Sequence, residues 1–241
     1  MHIFVLTGAG VSVESGLGAF RDKSGTGLWA RFDPMQLATP EAFARRPEAV
    51  HEFYNFRRRN LLAAKPNAAH VALAELQREL PARGGALTLV TQNIDDLHER
   101  AGAGSVIHMH GELLKARCAA CGALRPQRED LTAADSCGSC GRAGTLRPHV
   151  VWFGETPLFM EEIHAALTTA DLFVAIGTSG SVYPAAGFVS LARRLGVRSC
   201  EINLEPSDNA SEFDDSRYGV ASEAVPAWVG ELLARERVQR K

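Results

Sequence analysis

At 241 residues, with 46% of them apolar and a formal net charge of -2, the chain is long enough to bury a sizeable core as one large domain or two small ones. That charge gives no electrostatic footprint for nucleic acid or an anionic membrane, and Arg57-Arg58-Arg59 is too short a basic run to supply one. No stretch approaches a membrane span, and five cysteines without a secretion signal, four of them in Cys-x-x-Cys pairs, favour metal-binding thiolates in the cytoplasm over disulfides.

The apolar opening His2-Ile3-Phe4-Val5-Leu6 breaks at Thr7-Gly8 and lacks a basic leader, so it reads as a first strand and not as a signal peptide. It runs into Gly8-Ala9-Gly10, a turn of the kind that brings backbone N–H groups against a pyrophosphate. The third glycine of the dinucleotide fingerprint would fall at Val13, so the strict pattern fails and a plain strand-to-helix turn competes with a nucleotide site. Ser12 is placed to cap the short helical turn that follows, and Gly16 and Gly18 open a loop ending at Phe20-Arg21. Pro34, Pro40 and Pro47 punctuate a region of short helices, and Pro47 begins a longer one. Its face carries Val50, Phe53 and Leu61 together with Tyr54 and Arg57, which places Arg57 among apolar neighbours and Arg58 and Arg59 away from them. A snorkelling or glutamate-paired arginine accounts for Arg57 without any function. Pro66 begins another helix, with Val71, Leu73, Leu76 and Leu80 as its buried side and His70 packed or on the surface. A strand follows, which makes a βαβ crossover with an insertion in it.

That strand, Leu87 to Thr91, delivers the polar run Gln92-Asn93-Ile94-Asp95-Asp96 at the end where parallel strands meet ligands. A second short run, Ser105 to Met109, delivers His110 beside Gly111. Turn-forming Asn and Asp with a core histidine explain each residue singly, but explain the group less well than a site does. Cys118 and Cys121 are separated by fifteen residues from Cys137 and Cys140. Two such hooks supply four thiolates, which suits tetrahedral Zn²⁺ in a structural role and leaves no open coordination position. Cys200 stands apart on a predicted strand as a buried, inert thiol.

The segment Arg147 to Glu155 is extended and apolar and is closed by a turn; Trp152 and Phe153 fit a core or a peptide-binding lip equally well. A regular alternation then resumes, with a helix over 160–170, a strand Leu172 to Ile176 ending in Gly177-Thr178-Ser179, a helix over 184–195, a strand Ser199 to Leu204 ending in Glu205, and a last helix from about 226. Polar strand ends of this kind describe an open parallel sheet with a nucleotide along its carboxyl edge, where Glu205 can accept a ribose hydroxyl. Helix caps at Thr178 and Ser179 and a turn at Glu205-Pro206 remain the plainer explanation of each residue taken alone.

Taken in order, Gly8-Ala9-Gly10-Val11-Ser12, Glu14-Ser15-Gly16, Phe20-Arg21, Thr91-Gln92-Asn93-Ile94-Asp95, His110-Gly111, the four cysteines, Val151-Trp152-Phe153-Gly154-Glu155, Gly177-Thr178-Ser179 and Asn203 resemble the motif set of the sirtuins, NAD-dependent protein-lysine deacylases. Tyr54-x-x-Arg57 further resembles the class III branch, in which the pair recognises acidic acyl groups, and Ala38 matches its small pocket-wall residue. Ser24-Gly25-Thr26-Gly27 makes the cofactor loop longer than that branch has. The resemblance implies an α/β fold: a Rossmann-like parallel-sheet domain from 1–22, 64–111 and 151–241, and a smaller domain from a helical insertion at 23–63 and a zinc ribbon at 112–150. It implies removal of acetyl, succinyl and malonyl groups from lysine, with the acyl oxygen attacking the ribose carbon of NAD as nicotinamide leaves, and free lysine and O-acyl-ADP-ribose as the other products. His110 would be the general base on a ribose hydroxyl. Asn93 would position the ribose and a water, Asp95 the nicotinamide amide and Gln92 the ribose near His110, while Phe20 would shield the reactive carbon. Gly8, Ala9, Gly10, Ser12, Arg21, Ile94, Gly177, Thr178, Ser179, Asn203, Leu204, Glu205 and Ala221 would complete the NAD site. Val151, Phe153, Gly154 and Glu155 would pair with the backbone of the acylated protein or peptide as an added strand, with loose sequence selectivity.

Two other classes compete. A nicotinamide oxidoreductase would need a hydride acceptor site, which nothing here resembles, and a zinc-ribbon nucleic-acid adaptor is opposed by the net negative charge. No membrane or nucleic-acid partner is expected, and a monomer is favoured.

Overall fold

Four consecutive apolar residues, Ile3 to Leu6, make β1 (His2–Thr7) a strand that must be covered on both faces, and each of them is at most 2% exposed. The computed structural model describes residues 1–18 and 33–238. Among these, β1 is followed by α1 (Pro40–Arg45), α2 (Pro47–Ala63), α3 (Ala68–Glu79), β2 (Ala86–Thr91), α4 (Leu97–Arg100), β3 (Ile107–His108), β4 (Gly111–Cys118), β5 (Leu124–Pro126) and β6 (Leu146–Val150). Then come α5 (Met160–Thr168), β7 (Leu172–Ile176), α6 (Phe188–Arg194), β8 (Arg198–Asn203), β9 (Asp215–Tyr218) and α7 (Ala221–Val238). Described strands form a parallel sheet in the order β3-β2-β1-β7-β8-β9. The chain moves outward from β1 to β2 and β3, then returns to the other side of β1 with β7, so the crevice between β1 and β7 is the topological switch point.

Alternation along β1 sorts its side chains into two layers. Ile3 and Val5 share a core with Leu73 and Leu76 of α3 and with Val225 and Trp228 of α7, whereas Phe4 and Leu6 share one with Ile163 and Leu167 of α5 and Phe188 and Val189 of α6. Each of these side chains contributes roughly 1.5 to 3 kcal/mol by burial. On α3 the buried positions are Ala69, His70, Ala72, Leu73, Ala74 and Leu76, with Leu80 buried just past its end, while Val71 is 50% exposed, contrary to the sequence reading. Val71 precedes Leu73 by two residues, about 200° around the helix, so both cannot face the sheet.

The last helix also begins earlier than expected. Pro226 lies inside α7, whose first turn is capped from outside: the Glu14 carboxylate accepts the backbone N–H and the hydroxyl of Ser222 at 2.8 and 2.6 Å. An anionic cap at a helix N-terminus is favourable, and it lets the helix run back through the proline to Ala221.

A second, antiparallel sheet has the order β5-β4-β6, with a register shift between Glu112 and Ala116. Leu113 and Val150 of this sheet share a core with Val50, Phe53, Tyr54 and Leu61 of α2, and Trp152 and Ile94 join it. The Asn55 amide pairs with the backbone of Leu131 in both directions, each bond 2.9 Å, and so fastens α2 to the loop before the second cysteine hook. Arg58 completes this joint and corrects the sequence reading: it is fully buried, and Arg57 is the half-buried one. Its guanidinium donates to Asn55 Oδ1 at 2.6 Å and to the Leu113 carbonyl at 3.4 Å, and burial brings its pKa down to about 10. No described helix is long and apolar enough to cross a membrane.

Candidate active site

The carboxyl ends of β1 and β7 meet in backbone-to-backbone contact. Gly8 and Gly10 donate their N–H groups to the carbonyls of Ile176 and Gly177, both at 2.9 Å. A Cβ on Gly10 would stand 2.7 Å from Gly177 Cα, and one on Gly177, at φ +62°, would stand 2.5 Å from Val11 N. These glycines are therefore required first by the closeness of the two turns at the switch point, a reason that neither the phosphate-approach reading nor the plain-turn reading of the sequence had offered. Asn203, at the end of β8, donates to the Thr178 carbonyl at 2.8 Å and so holds the third strand end to the second. Ser179, Leu204 and Glu205 lie exposed along this edge, and Ala9 and Ala221 are half-buried beside it.

Ser12 does not cap a helix. It lies inside a 3-10 turn, Ala9–Ser15, which has no side-chain cap, and its hydroxyl donates to Asp95 Oδ2 at 3.0 Å while accepting from Asn93 Nδ2 at 3.2 Å. Asn93 also donates to the Gly8 carbonyl at 3.0 Å, and Asp95 Oδ1 accepts from Leu97 N at 3.1 Å. The polar run after β2 is thus tied to the turn after β1. Burial pushes the Asp95 pKa up, against the pull of its Leu97 and Ser12 bonds.

Two histidines support this floor, and the sequence reading gave neither a role in it. His70 Nδ1 accepts the Asn67 N–H at 3.3 Å, so the neutral ring carries its proton on Nε2, 3.3 Å from Ser12 Oγ. His98 Nε2 lies 3.0 Å from Thr7 Oγ1, which donates to Thr91 Oγ1. Burial takes the His70 pKa down to about 4 and depresses that of His98 as well. A His at N3 after an Asn cap was the available signal for His70; nothing local marks His98.

His110 follows β3 and faces the same edge half-buried. Its Nδ1 is 3.0 Å from the Gln92 carbonyl, and its own carbonyl accepts the Val151 N–H at 2.8 Å. His108, two residues earlier, is buried and engaged: Nε2 lies 2.6 Å from Glu99. Burial disfavours a charged His108 ring, but the Glu99 bond and charge outweigh it, and the pKa is raised.

Beyond His110 lies the expected substrate side. Trp152 is 2% exposed and belongs to the core, whereas Phe153 is 38% exposed, which divides the two readings between the two residues. The N–H groups of Val151, Phe153 and Glu155 bond to the carbonyls of His110, Ala38 and Trp152, and that of Trp152 to the Glu155 carboxylate. Among the described residues Gly154 N–H has no backbone partner, so most of the N–H donors of this segment are already engaged within the chain. Ala38 is buried, and Tyr54 is 3% exposed with its oxygen accepting the Trp152 indole N–H at 2.9 Å. The Arg57 guanidinium lies 5.7 Å from the centroids of both the Phe53 and Tyr54 rings. Phe20, Arg21 and the Ser24 to Gly27 stretch lie outside the described residues.

The four cysteines converge. All four Sγ atoms lie within 4.8 Å of one another, with Cys118 to Cys140 at 3.7 Å and Cys121 to Cys137 at 3.8 Å. Zinc–thiolate bonds of about 2.3 Å in a tetrahedron require an edge of about 3.8 Å, so the donor set fits Zn²⁺. The hooks are alike, Gly122 N donating to Cys118 O and Gly141 N to Cys137 O. Cys200 is buried on β8, where burial takes its thiol pKa up to about 11.

Against known proteins, the Sir2 family profile matches residues 8–184. The chain belongs to the Sir2 family. Among its relatives, the NAD-dependent protein deacylase of Caulobacter vibrioides is 61% identical over 235 residues, covering 98% of each chain. A solved Sir2 homologue–NAD complex superposes with a TM-score of 0.85 at 38% identity, covering 98% of this sirtuin and 90% of that chain. A mutant Sir2 homologue in complex with ADP-ribose gives 0.89 at 38% identity, covering 100% and 94%. The sirtuin is NAD-dependent, and the groups at its β1–β7 switch point suit a dinucleotide: amide, carboxylate and hydroxyl donors and acceptors around a glycine-lined crevice.

Proposed function

We propose that this sirtuin, an NAD-dependent protein deacylase, removes succinyl and malonyl as well as acetyl groups from lysine side chains. The observation that carries the acidic preference is the Tyr54–Arg57 pair, a phenol and a guanidinium one helical turn apart, the guanidinium beside the phenol ring and Ala38 buried in the same core. Burial pushes the Tyr54 pKa up, so the phenol keeps its hydrogen at neutral pH, and burial pulls the Arg57 pKa down, against the pull of Tyr54 and Asp95. The same reading divides the chain into the Rossmann-like and small domains with the boundaries given above.

NAD, when bound, would supply the electrophilic ribose carbon and the ribose hydroxyl that takes the acyl group from lysine. The residues of this chain do the rest. His110 offers Nε2 to take a proton from a ribose hydroxyl, because Nδ1 is committed to the Gln92 carbonyl. Asn93 and Asp95, immobilised by Ser12 and Gly8, orient the ribose and the leaving nicotinamide. Trp152 and Tyr54 exclude water from the acyl channel, both being nearly fully buried.

The test is kcat/KM for matched acetyl-, malonyl- and succinyl-lysine peptides with NAD, in wild type, Arg57→Met and Tyr54→Phe. A charged hydrogen bond is worth roughly 1.5 to 3 kcal/mol, so losing Arg57 should lower the succinyl value about ten- to a hundredfold and the acetyl value far less. A succinyl-to-acetyl ratio that is the same in all three proteins would show the pair to be helix packing only.

A further inference from the structure

We infer that Trp152 is a specificity-determining positioning residue, whose indole N–H turns the Tyr54 hydroxyl toward the acyl carboxylate; the inference rests on the acidic-acyl reading above. An indole nitrogen only donates. In the 2.9 Å bond between Trp152 Nε1 and Tyr54, the phenol oxygen is therefore the acceptor, and its own hydrogen has to point elsewhere. Among the described residues nothing accepts that hydrogen, although Tyr54 is 3% exposed. A buried hydroxyl with its oxygen occupied and its hydrogen unclaimed, beside a guanidinium, is a donor prepared for an anionic oxygen. An acetyl group has no such distal oxygen.

Trp152 is itself held in three ways. Its ring lies 3.3 Å beneath the Arg147 guanidinium, its backbone N–H donates to Glu155 Oε2 at 2.9 Å, and Phe43 packs on it with ring centroids 5.4 Å apart. Arg147 is 4% exposed and clamps Glu155 through both terminal nitrogens at 2.6 and 2.9 Å. The indole cannot swing away without breaking this assembly, so the direction of its N–H is set before substrate arrives.

The experiment compares wild type, Trp152→Phe, Tyr54→Phe and the double variant on matched succinyl and acetyl peptides. Phenylalanine keeps an aromatic ring near Arg147 but removes the donor together with part of the buried ring, so benzothienylalanine at position 152, which removes the donor at nearly constant shape, is run beside it. Trp152→Phe should lower succinyl kcat/KM about five- to tenfold, mainly through KM, and acetyl kcat/KM by much less. In the Tyr54→Phe background it should lower the succinyl-to-acetyl ratio no further, because the indole acts through the phenol. Ultraviolet titration of the phenol should show Tyr54 ionising at higher pH in Trp152→Phe, since the indole bond favours the phenolate. If the Phe variant does not fold, the benzothienylalanine variant, with sulfur in place of the N–H, carries every arm alone. A ratio unmoved by Trp152→Phe but lowered by Arg57→Met overturns the inference and leaves the acyl reading standing, and so do additive losses in the double variant. A ratio equally flat in all variants overturns both.

Discussion

The Nδ1 atom of His110 lies 3.0 Å from the carbonyl oxygen of Gln92. A carbonyl only accepts, so the ring proton sits on Nδ1 and the lone pair on Nε2, for which no partner exists among the described residues. Burial holds the His110 pKa below the usual imidazole value, against the pull of that carbonyl, and the ring is neutral at pH 7. Replacing it with Ala should lower turnover by about 10² to 10⁴, with NAD affinity and melting temperature little moved. The acid limb of the kcat profile should fall below about pH 6.5. His108, bound to Glu99, should matter less; equal losses in the two variants would refute the assignment.

Stability should decline in mild acid. The unfolded His70 ring binds a proton near pH 6.5 and the folded one only near 4, so protons favour the unfolded chain. The stability is complete above about pH 6.5 and is lost as pH falls toward 4, to the extent of about 3 kcal/mol, with His98 adding to the slope. Asp95, whose pKa is raised by burial, opposes it in the lower part of that range. Urea unfolding at stepped pH in wild type and His70→Asn checks this: the variant's slope should be shallower by about one proton.

Metal removal should act through structure. Cys118→Ala with Cys137→Ala should abolish zinc retention, measured by elemental analysis, and lower the melting temperature and activity together. Metal held stoichiometrically by the double variant would contradict the site.

Asn55 carries three bonds at the joint between α2 and the Leu131 loop. Asn55→Ala should destabilise by about 2 to 4 kcal/mol, because it leaves the Leu131 N–H without an acceptor and the buried Arg58 guanidinium with only its longer bond to the Leu113 carbonyl. Denaturant unfolding gives the loss, and chelator challenge should strip zinc from the variant sooner than from wild type.

What the residues disclose on their own follows from how local the determining physics is. β1 and β7 were readable because both faces are buried and the apolar run has no competing period, and the cysteine hooks because ligand spacing is written into the chain. β9 escaped because Asp215–Tyr218 is an edge strand with little burial and no alternation to detect. Arg58 was misplaced because its burial is decided by the Leu113 carbonyl and the Asn55 amide, which sequence periodicity does not register. The motif residues after β1 and β2 were visible as a set, but the reason for Gly10 was not: it is the approach of Gly177, which is 167 positions later in the chain.

The carboxylate of Glu14 on Ser222 joins the turn after β1, proposed above to meet the nucleotide, to the head of the last helix. On the proposed cofactor site, alterations to the last helix are therefore not remote from cofactor chemistry. A tag or truncation that frays α7 back to its first turn would release Glu14 and loosen the segment carrying Ser12, and the handling of the protein at the bench would register as a change in its apparent taste for NAD.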